Sequence, residues 1–125
     1  MVLACVTALV APASTSAAPP FRATLTAPTH TPKVNVHWRY AITVTDLKSK
    51  PIRARLTVQV VDPFGMAHPV EFGTSTRNIV NWPFVGVFRD FAVWPPESRG
   101  FRLTFRAIVK TAKGKVTLTY WVKSR

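Results

Sequence analysis

Acidic residues are scarce in this chain: 5 Asp and Glu stand against 17 Lys and Arg, a formal charge of +12 over 125 residues. The five acids, Asp46, Asp62, Glu71, Asp90 and Glu97, are scattered, and several fall in turns, where carboxylates cap backbone N–H groups. No paired carboxylates, Ser-His-Asp ordering, glycine-rich phosphate loop or HExxH motif is present, so the sequence predicts no enzyme. Cysteine is limited to Cys5, which leaves no partner for an internal disulfide. Long apolar runs are missing too: Val2 to Val10 is far short of the about 20 residues that cross a bilayer, and no later run is longer. What remains is 47% hydrophobic and only 18% charged, the composition of a folded domain rather than a disordered tail.

At 125 residues there is room for one domain and one core. Residues 1–17 read as a secretory signal peptide. The apolar run Val2 to Val10 precedes a small-residue, proline-rich stretch from Ala11 to Pro20, and Thr15-Ser16-Ala17 offers small residues before a cleavage point. The usual leading basic segment is absent, so the true start lies upstream of Met1 or the signal is atypical. Cys5 lies near the start of the apolar run instead of after it, which disfavours lipidation. An exported domain without cysteine suggests a bacterial source, because small secreted eukaryotic domains often rely on disulfides. The expected location is extracellular or at the cell envelope, with residues 18–125 as the mature domain.

The clearest pattern within that domain is alternation. Val34, Val36, Trp38, Tyr40, Ile42 and Val44 occupy every second position, separated mostly by polar residues. Successive side chains of a strand point to opposite faces, so this is a strand with one face buried and one wet. The pattern recurs in Phe21 to Ala27, Ile52 to Val61, Phe101 to Lys110 and Val116 to Lys123, with a short strand expected around His68 to Phe72. Phe84 to Trp94 adds one or two strands broken at Gly86. Asp46 to Pro51 reads as a hairpin connection, and Asp62-Pro63-Phe64-Gly65 carries the residues of a type I turn. A second hairpin turns at Thr111 to Lys115. About seven short antiparallel strands with regular turns predict an all-β sandwich of two sheets, and a monomer is expected.

Three segments of this chain resemble the immunoglobulin-like and fibronectin type III-like domains of exported bacterial proteins. Val34-Asn35-Val36-His37-Trp38 looks like the second strand with its core tryptophan, and Lys50 to Val60 looks like the strand that follows. Trp94-Pro95 to Phe105 is similar to the proline-containing corner entering the next-to-last strand. The resemblance covers roughly residues 21–123 and implies a single Ig-like β-sandwich with a binding or spacing role. The chain departs from antibody-type domains in lacking both core cysteines, and it has Phe101 where a corner tyrosine is expected.

Three constellations are candidates for function. First, Arg53 and Arg55 take the phase opposite the core on one strand, and Arg102, Arg106 and Lys110 do so on another. In an Ig-like fold these strands are neighbours, so their outward residues merge into a cationic face extended by Thr117, Thr119, Trp121 and Lys123. Such a face suits an anionic envelope polymer, with Trp121 stacking on a sugar or receiving a cation. The plainer alternative is a solvated face whose Arg stems shield the sheet, with Trp121 covered by a loop. Export argues against a specific nucleic-acid ligand, although the charge alone would give nonspecific binding. Second, Trp82, Phe84, Phe88, Phe91 and Trp94 crowd one segment and either fill the core or, with Trp82 and Phe84 held outward by Pro83, dock a protein partner. Third, Met66 and His68 place a thioether and an imidazole on one face of an extended segment, a weak copper signature that His30 and His37 would have to complete. No cofactor is expected on the leading reading.

Overall fold

The computed structural model describes residues 20–125. The signal-peptide reading and Cys5 lie outside the described residues.

Among the described residues eight strands form in order: β1 Arg22–Thr26, β2 His37–Thr45, β3 Arg53–Val61, β4 Ala67–Pro69, β5 Trp82–Val85, β6 Val87–Val93, β7 Arg102–Thr111 and β8 Gly114–Lys123. A 3-10 turn, Pro96–Ser98, sits between β6 and β7. All pairings are antiparallel. β1, β2 and β6 make a three-stranded sheet in the order β1-β2-β6. The other sheet is five-stranded: β3 pairs with β7 and β7 with β8, while the short β4 and β5 share the remaining edge of β3. The result is an all-β, two-sheet sandwich.

The alternation seen in the sequence is what holds the sheets together. Trp38, Tyr40, Ile42 and Val44 from β2 are buried, and so are Ala54, Leu56 and Val58 from β3 and Leu103, Phe105, Ala107 and Val109 from β7. Trp38 is the hub: its ring meets Trp94 at 5.4 Å and Phe105 at 5.0 Å, both edge-on. Its indole N–H donates to the Thr29 carbonyl at 2.8 Å, so the polar end of this buried ring is satisfied. Burying each large aliphatic or aromatic side chain stabilises the fold by about 1.5–3 kcal/mol, which is why the inward phase tolerates almost no polar residue.

The strand expected from Val34 departs from the structure at one point. The alternation begins at Val34, yet β2 starts only at His37. Asn35 adopts a left-handed φ of 62°, and its N–H donates to the Trp94 carbonyl, while Val34 N–H donates to the Arg125 carbonyl. Those bonds hold residues 34–36 outside the ladder and leave Val36 exposed. The Asp46 to Pro51 connection also corrects the expectation of a hairpin. Its turn is tight, with Asp46 N–H donating to the Lys50 carbonyl at 2.8 Å, but the flanking strands part after one bridge, Thr45 with Pro51, and enter different sheets.

The break expected at Gly86 is present, and it too changes sheets. β5 lies on β3, and β6 lies on β2. Gly86 sits between them at φ 74°, its N–H donating to Ile52 O and its carbonyl accepting from Val44 N–H. A Cβ here would stand 3.0 Å from that of Pro51, so both the conformation and the space call for glycine.

Among the described residues no helix is long and apolar enough to cross a membrane.

Candidate functional site

The register of the five-stranded sheet decides which cations meet. On β3, Arg53 and Arg55 alternate with buried Ala54 and Leu56 and therefore face outward. On β7, Arg102, Arg106 and Lys110 alternate with buried Leu103, Phe105, Ala107 and Val109. On β8, Lys115, Trp121 and Lys123 fall in the same outward phase. Arg55 lies directly opposite Lys110, Lys110 opposite Lys115, Gln59 opposite Arg106 and Arg102 opposite Lys123. The six residues expected from the sequence to form one basic face, Arg53, Arg55, Arg102, Arg106, Trp121 and Lys123, do share one face, joined by Lys110 and Lys115.

The cations form rows across the strands. Arg55, Lys110 and Lys115 make one row, Arg106 stands in the next, and Arg102 and Lys123 make the third. Successive rows are four residues apart along β7, about 14 Å at strand rise, and three strands span about 10 Å across. Hydroxyls fill the space between: Thr57, Thr104, Thr117 and Thr119 occupy outward positions of the same strands. No carboxylate occupies an outward position of β3, β7 or β8. Among the described residues the one ion pair joins His68 to Asp62, so no Lys or Arg on this face is neutralised by a carboxylate.

The face is indented at one end. There a groove of about 510 Å³ is lined by Arg53, Arg55 and Lys110, with Pro83 and Val85 forming an apolar wall. The Arg55 guanidinium donates to the Asn81 carbonyl at 3.1 Å, which anchors one nitrogen and leaves the rest of the fork free. Arg106 is held differently. Its Nε donates to Gln59 Oε1 at 3.0 Å and one terminal nitrogen donates to the same oxygen, so the side chain lies along the sheet in a fixed orientation.

Trp121 is 38% exposed and already has neighbours. The Arg102 guanidinium sits 4.6 Å from its ring centroid, coming from the β7 side. The His30 ring, coming from beyond the β8 edge, stacks on it at 4.1 Å and 11° and donates Nδ1–H to the Trp121 carbonyl. The tryptophan thus has a cation from its own sheet and an imidazole from a loop against its ring.

Four of the five aromatics in the crowded segment turn inward, and Phe91 falls in the opposite phase of β6. Trp82 and Phe84 are half-buried and pack against the core, Trp82 edge-on to Phe72 at 5.0 Å and Phe84 edge-on to Phe88 at 5.9 Å. Phe88 and Trp94 are buried. Proline does not keep this segment out of a ladder, as the sequence suggested: β5 pairs with β3, Pro83 opposite Arg55. An edge strand tolerates proline because one side of its backbone needs no partner.

Met66 and His68 are both exposed, in the β3–β4 turn and on β4. His68 Nε2–H donates to Asp62 Oδ2 at 2.9 Å. His30 is engaged at the β8 edge, and His37 stacks on Phe91 at 3.9 Å on the outer side of the other sheet. The structure does not bring the three histidines together, and among the described residues no three His, Cys, Asp or Glu side chains gather as a metal-ligand set. A second, more apolar cleft of about 660 Å³ opens between β4 and β6, bordered by Asp62, His68 and Glu71 and lacking any Lys or Arg; it is separate from the basic face.

The sequence signal for the basic face was strand phase. The groove beside Pro83 and the occupation of Trp121 had no such signal, since both depend on chain segments distant in sequence. Compared with known protein families and with curated protein sequences, the chain matches none.

Proposed function

We propose that this chain is an exported, non-catalytic binding module of the bacterial cell envelope that adheres to anionic polymer through the outer face of its five-stranded sheet. The observation that carries the reading is the Arg55–Lys110–Lys115 row, three like charges directly opposite one another with no carboxylate between them. Like charges paired across strands cost stability, and a surface shaped for solubility alone would intersperse both signs. An anionic ligand repays that cost. The groove lined by Arg53, Arg55 and Lys110 gives a discrete anion subsite at one end, and the fixed Arg106 presents a second contact partway along the face.

The strand order supports the Ig-like reading of the fold. First, second and sixth strands in one sheet, with third, seventh and eighth in the other, follow the A-B-E and C-F-G division of immunoglobulin-type sandwiches. Export rests on the composition of residues 1–20 and on the lack of cysteine in the folded domain.

The test is binding of the 125-residue chain to a purified polyphosphodiester or polyuronate across a salt titration, with Arg53→Glu/Arg106→Glu alongside. Tight binding that weakens steeply with salt and disappears in the variant is the expected result. Affinity indifferent to both salt and the variant would sink the proposal.

A further inference from the structure

Among the described residues, six of the ten large apolar side chains left exposed belong to one end of the sandwich: Val36, Phe64, Met66, Val93, Phe101 and Trp121. Pairing fixes that end. Val61 at the close of β3 lies opposite Thr104, Thr104 lies opposite Trp121, and His37 at the start of β2 lies opposite Val93. Backbone bonds from Asn35 to Trp94, from Val34 to Arg125 and from Gly100 to Ser124 tie the loops of the two sheets together there.

Phe64 is the extreme case, 90% exposed at the tip of the β3–β4 turn, with Met66 beside it at 63%. The turn that displays them is cross-braced by hydrogen bonds. Asp62 Oδ1 accepts from the N–H groups of Phe64 and Met66, both at 2.9 Å, and Asp62 N–H donates to the Met66 carbonyl. Gly65, at φ 86°, supplies the left-handed residue that closes the turn. A chain segment locked so firmly holds its phenylalanine in water rather than letting it fold back.

Charge indicates what covers it. Lys33, Arg99, Arg102, Lys123 and Arg125 are exposed at the same end. The acids there are Glu97 and Asp62, and the Asp62 carboxylate is already taken by two backbone N–H groups and His68. The apolar side chains also stand on separate loops instead of forming one flat patch. A protein partner would need a shaped hollow for each, whereas a fluid bilayer accepts separate tips between its lipids and offers anionic headgroups to the cations around them.

We propose that this end docks on an anionic lipid bilayer, with Phe64 and Met66 among the acyl chains and Arg99, Arg102, Lys123 and Arg125 at the headgroup phosphates. The inference goes beyond polymer adhesion and uses the end of the sandwich rather than the middle of its sheet. A module docked this way keeps the groove at Arg53, Arg55 and Lys110 at its far end, pointing away from the membrane.

The experiment is co-sedimentation of the full chain with vesicles of phosphatidylcholine alone and of phosphatidylcholine mixed with phosphatidylglycerol. Phe64→Ser/Met66→Ser is the variant, and because both proteins carry residues 1–19, any lipid affinity of that segment cancels in the comparison. Partition onto the anionic vesicles should fall about tenfold or more in the variant, from loss of apolar burial, while its binding to anionic polymer stays unchanged. In a Cys5→Ser/Phe64→Cys chain, an environment-sensitive fluorophore at position 64 should shift its emission to the blue on anionic vesicles. Equal partition of parent and variant, or an unshifted emission with the protein vesicle-bound, would overturn the proposal and leave lipid attraction to charge alone. Vesicle docking and polymer binding are read by different variants, so either can fail without the other.

Discussion

Arg55 and Lys110 stand directly opposite each other on adjacent strands, and Lys110 has Lys115 opposite it on its other side. All three are exposed, so water and salt weaken the repulsion without abolishing it. Lys110→Glu would exchange two repulsive cross-strand pairs for two attractive ones. The variant should be more stable by about 0.5 kcal/mol at low ionic strength, with the gain fading as salt is added. It should also bind anionic polymer more weakly. Paired denaturant melts and binding isotherms measure both. A variant no more stable than its parent would mean that the row carries no electrostatic cost and so gives no argument for a ligand.

Trp121 leads to a prediction in the opposite direction. With Arg102 at 4.6 Å and His30 at 4.1 Å from its ring, Trp121 joins β7, β8 and the loop before β2. Trp121→Leu should therefore cost stability, about 1 kcal/mol, and change polymer affinity less than Arg106→Ala does. An affinity loss larger than that of Arg106→Ala, with the melt unaltered, would return Trp121 to the role of a ligand contact.

How much of this was legible beforehand depended on whether the deciding interactions were local. The alternation of Trp38, Tyr40, Ile42 and Val44 is enforced by the pleat itself, so strand and buried face could both be read from it. Phase also put Arg53, Arg55, Arg102 and Arg106 on one face once β3 and β7 were taken as neighbours. Phase is silent about register, and the directly opposed Arg55 and Lys110 emerge only from the pairing. Val34 and Val36 fit the alternation but lost to backbone bonds with Trp94 and Arg125, partners far along the chain. Pro83 was misleading for a similar reason: whether a proline blocks a ladder depends on which side of the strand is an edge. The turn at Asp62 was recognised from its residue types, but nothing local told that Phe64 would remain almost bare.

Tyr40 offers a test of the core. Its hydroxyl is buried and has no hydrogen-bond partner, unlike the indole N–H of Trp38. Burial, with Asp90 nearby adding to it, pushes ionisation of this phenol well above the ordinary range, so the group stays neutral. An unpaired buried hydroxyl loses its water bonds and gains nothing in return. Tyr40→Phe keeps the ring packed, tilted or edge-on, among Trp38, Phe88 and Phe105 and removes only that oxygen. The variant should be as stable as the parent or more so, by up to about 1 kcal/mol. A loss of stability in the melt would show that the hydroxyl has a partner, such as a buried water.

Acid should act on two turns in particular. The Asp62 carboxyl is held below the usual carboxylate range by the bond from His68, then by the N–H groups of Met66 and Phe64. Asp46 is held down by the N–H of Lys50, with Lys48 N–H and the charges of Lys113 and Lys50 contributing. Both pKa values are depressed in the folded chain, so their contribution to stability is complete above the unfolded carboxylate value, about 3.9. It is lost as pH falls through the folded values, because protonation then removes an acceptor that only the folded state uses fully. Thermal midpoints of the parent should therefore drop below about pH 4. Asp46→Asn/Asp62→Asn should start lower at neutral pH and fall less steeply over the same range. An equally steep acid limb in the variant would assign the loss to other carboxyls. Because Asp62 also fixes the turn that carries Phe64, the same variant at neutral pH should bind anionic vesicles less tightly than the parent does.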